Sequence, residues 1–420
     1  MELTFGKGAL LLLLVAAVVA MLTRRLRLPY SVGLVAAGMA LALLPWAPKI
    51  SFTKELIFDL LLPPLLFEAA FYLRWNQLRR ELPVILTLAS VGVVPSGVLT
   101  AVGMHYLARW EWPSALVFGS LIAATDPVSV IETFREARVH GRLRLLVEAE
   151  SLLNDGTAAV AFGVAVLVAS GHSLTGLGLT KSLLATVGGG LLCGIVVGGI
   201  ALFLTRRTED HLVELTFTTV AAYGSFLLAE QFDFSGVFAT IVAGLIIGNR
   251  STLGVLSDHG RDAVQAFWDY AAFVSNSLVF LLIGMHETTQ NFGAVWLPSI
   301  VAVFFVVLGR GVAIYPICLL FVRSDLRVTA QHQLALLWGG LRGALALALA
   351  LGLPAELPRR AEIISVSFAV VAFSVFVQGL TMPPLLRAIG EIPKVPHNQA
   401  AQTTDQVQAD ATAPGPDPRG

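Results

Sequence analysis

Charged side chains are scarce in this 420-residue sequence, in which Asp, Glu, Lys and Arg together make up 13% of the residues. Soluble domains carry about 25% charged residues, so the scarcity excludes an ordinary soluble protein. The hydrophobic residues, 56% of the total, cluster in runs of about 20, the length that a helix needs to cross the hydrocarbon core of a bilayer. We therefore predict an all-α membrane protein with many spans.

Cysteine is almost absent as well. Cys193 and Cys318 each lie in an apolar run, where a buried thiol is expected rather than a disulfide or a metal ligand. No spacing typical of a zinc, haem or nucleotide site occurs, so no cofactor is predicted. The formal net charge is zero, which gives no reason to expect a nucleic acid as a partner.

About thirteen apolar segments are predicted to be transmembrane helices. They run roughly over residues 6–23, 29–46, 54–72, 82–108, 113–132, 144–169, 181–204, 211–230, 234–249, 262–286, 294–322, 328–352 and 361–385. Residues 393–420 are rich in Gln, Ala, Asp and Pro without an apolar period, so we expect a short disordered tail there.

The loops indicate the orientation of the chain. Sixteen Lys and Arg residues lie in the loops after odd-numbered spans, against six after even-numbered spans. Because cytoplasmic loops carry the excess of positive charge, we expect the N-terminus outside and the C-terminus in the cytoplasm.

Two of the predicted spans contain acids that a lipid-facing helix would not keep. Asp126 lies in span five, and Glu148, Glu150 and Asp155 lie in span six. An ionised side chain at mid-membrane costs roughly 2.5–3.5 kcal/mol, so these acids need partners, water or a cation. They indicate an ion pathway.

Spans five and twelve are expected to be interrupted. Pro127 lacks an amide hydrogen and clashes with the carbonyl of Ala123, and it pushes Asp126 away from helical geometry. The freed carbonyls near Ala123 would suit a cation. In span twelve, the three glycines of residues 339–343 (Gly-Gly-Leu-Arg-Gly) surround Arg342. Arg342 cannot lose its proton, so at mid-span it needs an acid or several carbonyls as partners. A simple kink explains either feature alone, but two interrupted spans in opposite halves of the chain indicate a crossed-helix secondary transporter.

Span six supplies oxygen ligands. Ser151 and Asp155 share one helix face, and Glu150 and Asn154 share an adjacent one. Hydroxyl, carboxylate and carbonyl oxygens suit a hard cation rather than a soft transition metal. Glu68, late in span three, is a further candidate ligand, although an acid there could also cap its helix or snorkel to the surface.

Other charged residues have less specific explanations. Arg310 in span eleven is ambiguous in the same way as Glu68: it belongs either to the functional site or to the surface, where it would snorkel or cap its helix. Asp59, Asp233 and Asp269 fall near the ends of spans, where we expect them at the membrane interface.

At these residues the chain resembles the sodium/proton exchangers of the NhaP/NHE type, within the cation/proton antiporter superfamily. The resemblance covers spans three to thirteen and is specific in the combination and order of its motifs. The motifs are residues 67–70 (Phe-Glu-Ala-Ala), 125–127 (Thr-Asp-Pro), 150–156 (Glu-Ser-Leu-Leu-Asn-Asp-Gly) and 339–344 (Gly-Gly-Leu-Arg-Gly-Ala).

The resemblance implies a role for each residue of the site. Asp155 is expected to hold the ion or the proton, with Ser151 and Thr125 as the other ligands of Na⁺. Glu68 is expected to act as a water-mediated ligand or a gate. Asp126 is expected to stabilise the unwound crossing.

Three further residues are expected to act through a hydrogen bond or an ion pair. Asn154 resembles the neutral hydrogen-bonding neighbour of Asp126. Glu150 and Arg342 are expected to form a buried structural ion pair, since neither lipid nor core could hold either charge alone.

The fold implied by the resemblance is NhaA-like, with inverted repeats, crossed interrupted helices and a homodimer. Residues 1–392 would form the transporter. Its core would contain the spans near 82–169 and 294–385, and its dimerisation domain those near 6–72 and 181–286. The short tail resembles that of a bacterial member, which implies a location in the bacterial inner membrane, surrounded by lipid.

The expected function is exchange of Na⁺, and also of Li⁺, for H⁺ by alternating access with competition at Asp155, in the service of pH homeostasis. Similar antiporters with a second Asp in place of Asn154 move an extra proton, so one-for-one electroneutral exchange is expected here. K⁺/H⁺ antiport is the alternative, because the ligand types do not separate Na⁺ from K⁺. An ion sensor without transport is a further class. So is an intramembrane hydrolase with Asp126 and Asp155 as paired acids, but this would leave Arg342 unexplained.

Overall fold

A computed structural model describes residues 2–26, 28–45, 52–126, 131, 134, 139, 141–171, 176–208, 210–251, 258–288, 290 and 292–392. Within these ranges the chain is helical and contains no strand, as predicted for an all-α protein. The tail expected at residues 393–420 lies outside the described residues.

The helices follow the apolar runs of the sequence. In the first part of the chain they are α1 (Glu2–Leu26), α2 (Tyr30–Ala42), α3 (Leu62–Tyr72), α4 (Trp75–Leu86), α5 (Val93–Tyr106), α6 (Trp112–Leu121) and α7 (Arg142–Ala169). In the second part they are α8 (Gly176–Thr205), α9 (His211–Gln231), α10 (Gly236–Ser251), α11 (Asp258–Glu287), α12 (Trp296–Leu320), α13 (Ala330–Trp338), α14 (Ala344–Leu351), α15 (Arg360–Phe373) and α16 (Leu380–Ala388). π-Helical turns at Leu56–Leu61, Thr87–Val91 and Ser374–Gly379 precede α3, α5 and α16.

Eight helices in the described ranges are long and apolar enough to cross a membrane. They are Lys7–Leu26, Trp75–Tyr106, Arg142–Ala169, Gly178–Thr205, His211–Gln231, Gly260–Glu287, Trp296–Leu320 and Arg360–Ala388. Tyr30–Ala42 and Gly236–Asn249 are shorter apolar helices. A helix satisfies every backbone hydrogen bond internally, which lipid requires. The eight coincide with predicted spans, and the full count of thirteen stays a prediction.

In spans five and twelve the helix stops inside the apolar sequence. In span twelve α13 ends at Trp338 and α14 begins at Ala344, so the predicted interruption at residues 339–343 is confirmed. In span five α6 ends at Leu121, and residues 122–126 are not helical. Pro127, to which the sequence assigned this break, lies outside the described residues.

The packing of the helices brings the two interruptions together. Helix α14 contacts α6 and α7, whereas α13 contacts α7 and α12. The two halves of span twelve therefore lie against spans five and six, which carry the buried acids.

Helices α8 and α10 approach closely at glycines. A Cβ atom on Gly190 would lie 2.5 Å from the carbonyl oxygen of Ser235, and one on Gly194 would lie 2.4 Å from that of Ala239. Both distances are shorter than a Cβ atom can tolerate, so the contact requires small residues, as in many membrane helix pairs.

We expect Gly194→Ala to lower the melting temperature of the purified protein. The added methyl group would push against the backbone of α10, and such overpacking costs about 1–3 kcal/mol. The matched control is Gly199→Ala on the same helix, where nothing lies within 4 Å of the added Cβ atom. Thermal melting in detergent tests both variants, and equal losses of stability in the two would contradict the assigned contact.

Candidate ion-binding site

The non-helical segments of spans five and twelve are joined by hydrogen bonds. The Asp126 N–H donates to the Leu341 carbonyl over 2.7 Å. Arg342 Nη1 donates to the carbonyl oxygens of Ala123, at 2.6 Å, and Ala124, at 2.8 Å. Such carbonyls need a partner inside a membrane. Arg342 is that partner, so its guanidinium binds the carbonyls for which the sequence suggested a cation.

The glycines of span twelve make room for two charged side chains. A Cβ atom on Gly343 would lie 2.1 Å from the Asp126 carboxylate, and one on Gly340 would lie 2.7 Å from Arg310 Nε. A larger residue at either position would displace the charged group beside it. The glycines of the Gly-Gly-Leu-Arg-Gly motif thus leave space for the side chains of Asp126 and Arg310, in addition to flanking Arg342.

The predicted ion pair between Glu150 and Arg342 is wrong, because Arg310 is the partner of Glu150. Arg310 Nη1 donates to Glu150 Oε1 at 2.7 Å, and Nη2 donates to Oε2 at 2.6 Å. This bidentate geometry is the strongest that a guanidinium forms with a carboxylate. Both side chains are buried.

The error has a physical reason. Glu150 and the two arginines were all assigned to membrane spans, and the sequence does not show which arginine faces the acid. Arg342 already has partners in the carbonyls of span five, whereas Arg310 reaches Glu150 from the neighbouring helix α12. The available signal was the position of Arg310 well inside a span, too far from either end to be explained by snorkelling.

Asn154 connects the non-helical segment of span five to this ion pair. Its Oδ1 accepts the Thr125 N–H at 3.0 Å, and its Nδ2 donates to Thr125 Oγ1 at 2.8 Å and to Glu150 Oε1 at 3.1 Å. Thr125 Oγ1 in turn donates to Ser151 Oγ at 3.0 Å. A connected network of this kind fixes the position of each of these side chains.

Asp155 differs from Glu150, which lies five residues earlier on the same helix. Its side chain is only 6% exposed, and its Oδ1 has no hydrogen-bond partner within the described part of the chain. It lines a cavity of about 490 Å³ together with Glu68 and Asp126. Three of the predicted site carboxylates therefore share one cavity.

The two predicted hydroxyl ligands are placed differently. Ser151 and Thr125 are fully buried, and neither is among the residues that line the cavity. Their hydroxyl groups are bonded to each other, one helical turn from Asp155. The structure thus brings them close to the cavity without opening them to it.

We expect the Glu150–Arg310 pair to be structural. Glu150→Leu and Arg310→Met should each destabilise the protein by about 3–5 kcal/mol, because each leaves a buried charge without its partner. The double variant removes both charges and should recover most of the melting temperature. A double-mutant cycle with Arg342→Met in place of Arg310→Met is the control. A larger coupling to Arg342 than to Arg310 would contradict the observed pairing.

Comparison with known proteins gives the family. The model of the family described as "Sodium/hydrogen exchanger, transmembrane" matches residues 10–388. The chain is 39% identical over 370 residues to the Na⁺/H⁺ antiporter ApNhaP of Aphanothece halophytica, a match that covers 87% of this chain and 70% of that relative. It is 37% identical to the low-affinity Na⁺/H⁺ antiporter NhaS1 of Synechocystis, with 86% and 70% covered.

A solved structure supports the same fold. The sodium proton antiporter MjNhaP1 of Methanocaldococcus jannaschii superposes with a TM-score of 0.75 over 93% of this chain and 100% of the antiporter chain, at 19% identity. The resemblance drawn from the motifs is confirmed, and the relatives are named as transporters rather than enzymes. This chain is a multi-pass membrane protein that belongs to the transmembrane sodium/hydrogen exchanger family, whose members exchange a cation for protons.

Proposed function

We propose that the protein exchanges Na⁺ for H⁺ by alternating access, with Asp155 holding one or the other. The observation that carries the proposal is the Asp155 carboxylate, which is buried on a cavity wall and has an oxygen without a hydrogen-bond donor in the described chain. A carboxylate in such a place is costly as a bare anion. It is neutralised by a proton or by a cation, and competition between the two couples their transport.

The remaining charges support exchange of one proton for each cation. Arg310 and Arg342 carry two positive charges, and Glu150 and an ionised Asp126 carry two negative ones. Asp155 is neutralised equally by H⁺ or by Na⁺, so the site carries the same net charge with either one bound. Asn154 adds a neutral amide and no second titrating group.

We propose Asp155, Ser151 and Thr125 as the ligands of Na⁺. Ser151 lies one helical turn before Asp155, and its hydroxyl can turn from Thr125 toward an ion at the carboxylate. Asp126 and Glu68 reach the ion through water in the cavity that they share with Asp155. Oxygen ligands of this kind suit an alkali cation.

The relatives named as Na⁺/H⁺ antiporters support Na⁺ rather than K⁺ as the substrate. We propose that Li⁺ is also carried, because it is a smaller hard cation that the same oxygen ligands can hold. K⁺ antiport is the alternative that a flux experiment distinguishes.

We propose the NhaA-like architecture for the whole transporter, with inverted repeats and crossed interrupted helices. The core would contain the spans near 82–169 and 294–385, and the spans near 6–72 and 181–286 would form the dimerisation domain of a homodimer. The excess of Lys and Arg after odd-numbered spans supports a cytoplasmic C-terminus, in a bacterial inner membrane. The physiological role would be control of pH.

Asp155→Asn should abolish cation-driven proton movement, because the amide can neither take up a proton nor neutralise a cation. The measurement is dye-monitored proton flux in proteoliposomes after addition of Li⁺, Na⁺, K⁺ or Rb⁺. We expect the parent protein to respond to Na⁺ and Li⁺.

The matched control is Glu148→Gln, two helical turns earlier on α7. Glu148 is half-buried and contacts Arg144 at 2.6 Å, and it does not line the cavity. This variant should retain exchange. Normal exchange by a folded Asp155→Asn variant would refute the proposed role, and a response to K⁺ alone would favour K⁺ antiport.

A further inference from the structure

Two oppositely charged side chains lie where the cavity opens to solvent, a region that we call its mouth. Arg24 on α1 and Asp269 on α11 both line the cavity, and among the described lining residues they are the two with exposed side chains. The sequence suggested a simple interfacial position for Asp269. The structure places it on the wall of the same cavity that Asp155 lines.

One face of α11 forms this wall. Asp269, Phe273 and Asn276 follow at helical spacing and all line the cavity. Seven residues of helix span about 10 Å, so the exposed Asp269 lies about two turns from the buried Asn276 along α11. Because Asp269 is exposed and Asp155 is buried, a cation that enters the cavity from solvent meets Asp269 first.

The Asp269 carboxylate is held in place by Tyr72. The Tyr72 hydroxyl donates to Asp269 Oδ1 at 2.9 Å. Tyr72 lies one turn after Glu68 on α3, so the hydrogen bond links two helices that line the cavity. No ion pair joins Arg24 to Asp269 among the residues described, so the two charges act on the mouth without cancelling by direct contact.

We infer that Asp269 and Arg24 set the apparent affinity for the cation on this side of the membrane. The inference rests on the proposed function, since it concerns access to Asp155. A cleft with apolar walls focuses the field of charges at its mouth and changes the local concentration of ions. Asp269 raises the concentration of cations in the cavity, and Arg24 lowers it.

The two charges predict opposite kinetic effects. Asp269→Asn should raise the KM for Na⁺ about threefold, and Arg24→Gln should lower it by a similar factor, as expected for one exposed charge acting over about 10 Å or more. The kcat should not change in either variant, because neither side chain holds the ion during the exchange. Both shifts should shrink when choline chloride raises the ionic strength, because exposed charges are screened by salt.

The controls make the same charge changes outside the cavity. Asp262 lies on α11 two turns before Asp269, and Arg25 follows Arg24 on α1. Both are exposed, and neither lines the cavity. Asp262→Asn and Arg25→Gln should therefore leave the KM for Na⁺ within error of the parent value.

The assay is Na⁺-driven proton flux in everted membrane vesicles, which turn the proposed cytoplasmic side toward the added cation. Equal KM shifts in the cavity variants and their controls would overturn the inference, because bulk surface charge would then explain them. A fall in kcat at constant KM, or shifts that salt does not reduce, would also overturn it. Absence of any exchange by the parent protein would instead refute the proposed function.

Discussion

Polar groups buried at membrane depth need partners from the protein itself, and the contact of Arg342 with span five meets this requirement at the point where the helix stops. Its guanidinium binds the carbonyl oxygens of Ala123 and Ala124, and the neighbouring Leu341 carbonyl accepts the Asp126 N–H. Without these bonds, neither non-helical segment would be stable away from water. The close approach of the two segments in turn requires glycine at position 343.

The same requirement is met differently by the two buried acids of α7, Glu150 and Asp155. Glu150 receives three hydrogen bonds, two from Arg310 and one from Asn154, so its charge is compensated. Asp155, on the same helix, keeps an oxygen without a donor in the described chain and faces a cavity. Arg310 thus compensates Glu150, whereas Asp155 is left available for the exchangeable cation or proton that we propose it holds.

Much of this arrangement could be predicted from the sequence, because helix breakers and intramembrane charges have few physical explanations. Pro127 and the glycines around Arg342 indicated the two breaks, and the spacing of Ser151, Asn154 and Asp155 placed them on adjacent faces of one helix. Tertiary packing decided the rest. The sequence could not show that Arg310 rather than Arg342 faces Glu150, because the rotation of α12 about its axis is set by its neighbours. For the same reason it could not show that Asp269, near the end of a span, faces the cavity.

The balance of buried charges is the central claim, and the response of exchange to voltage tests it most directly. In proteoliposomes, a K⁺ gradient with valinomycin imposes a membrane potential while Na⁺-driven proton exchange is measured. A potential of about 100 mV does about 2.3 kcal/mol of work on each elementary charge that crosses the membrane. If Asp155 alone exchanges its proton, the site carries the same charge with Na⁺ or H⁺, so the rate and the final Na⁺ gradient should not depend on the imposed potential. A transport current, or a Na⁺ gradient built by voltage alone, would show that a second group titrates and would contradict the account.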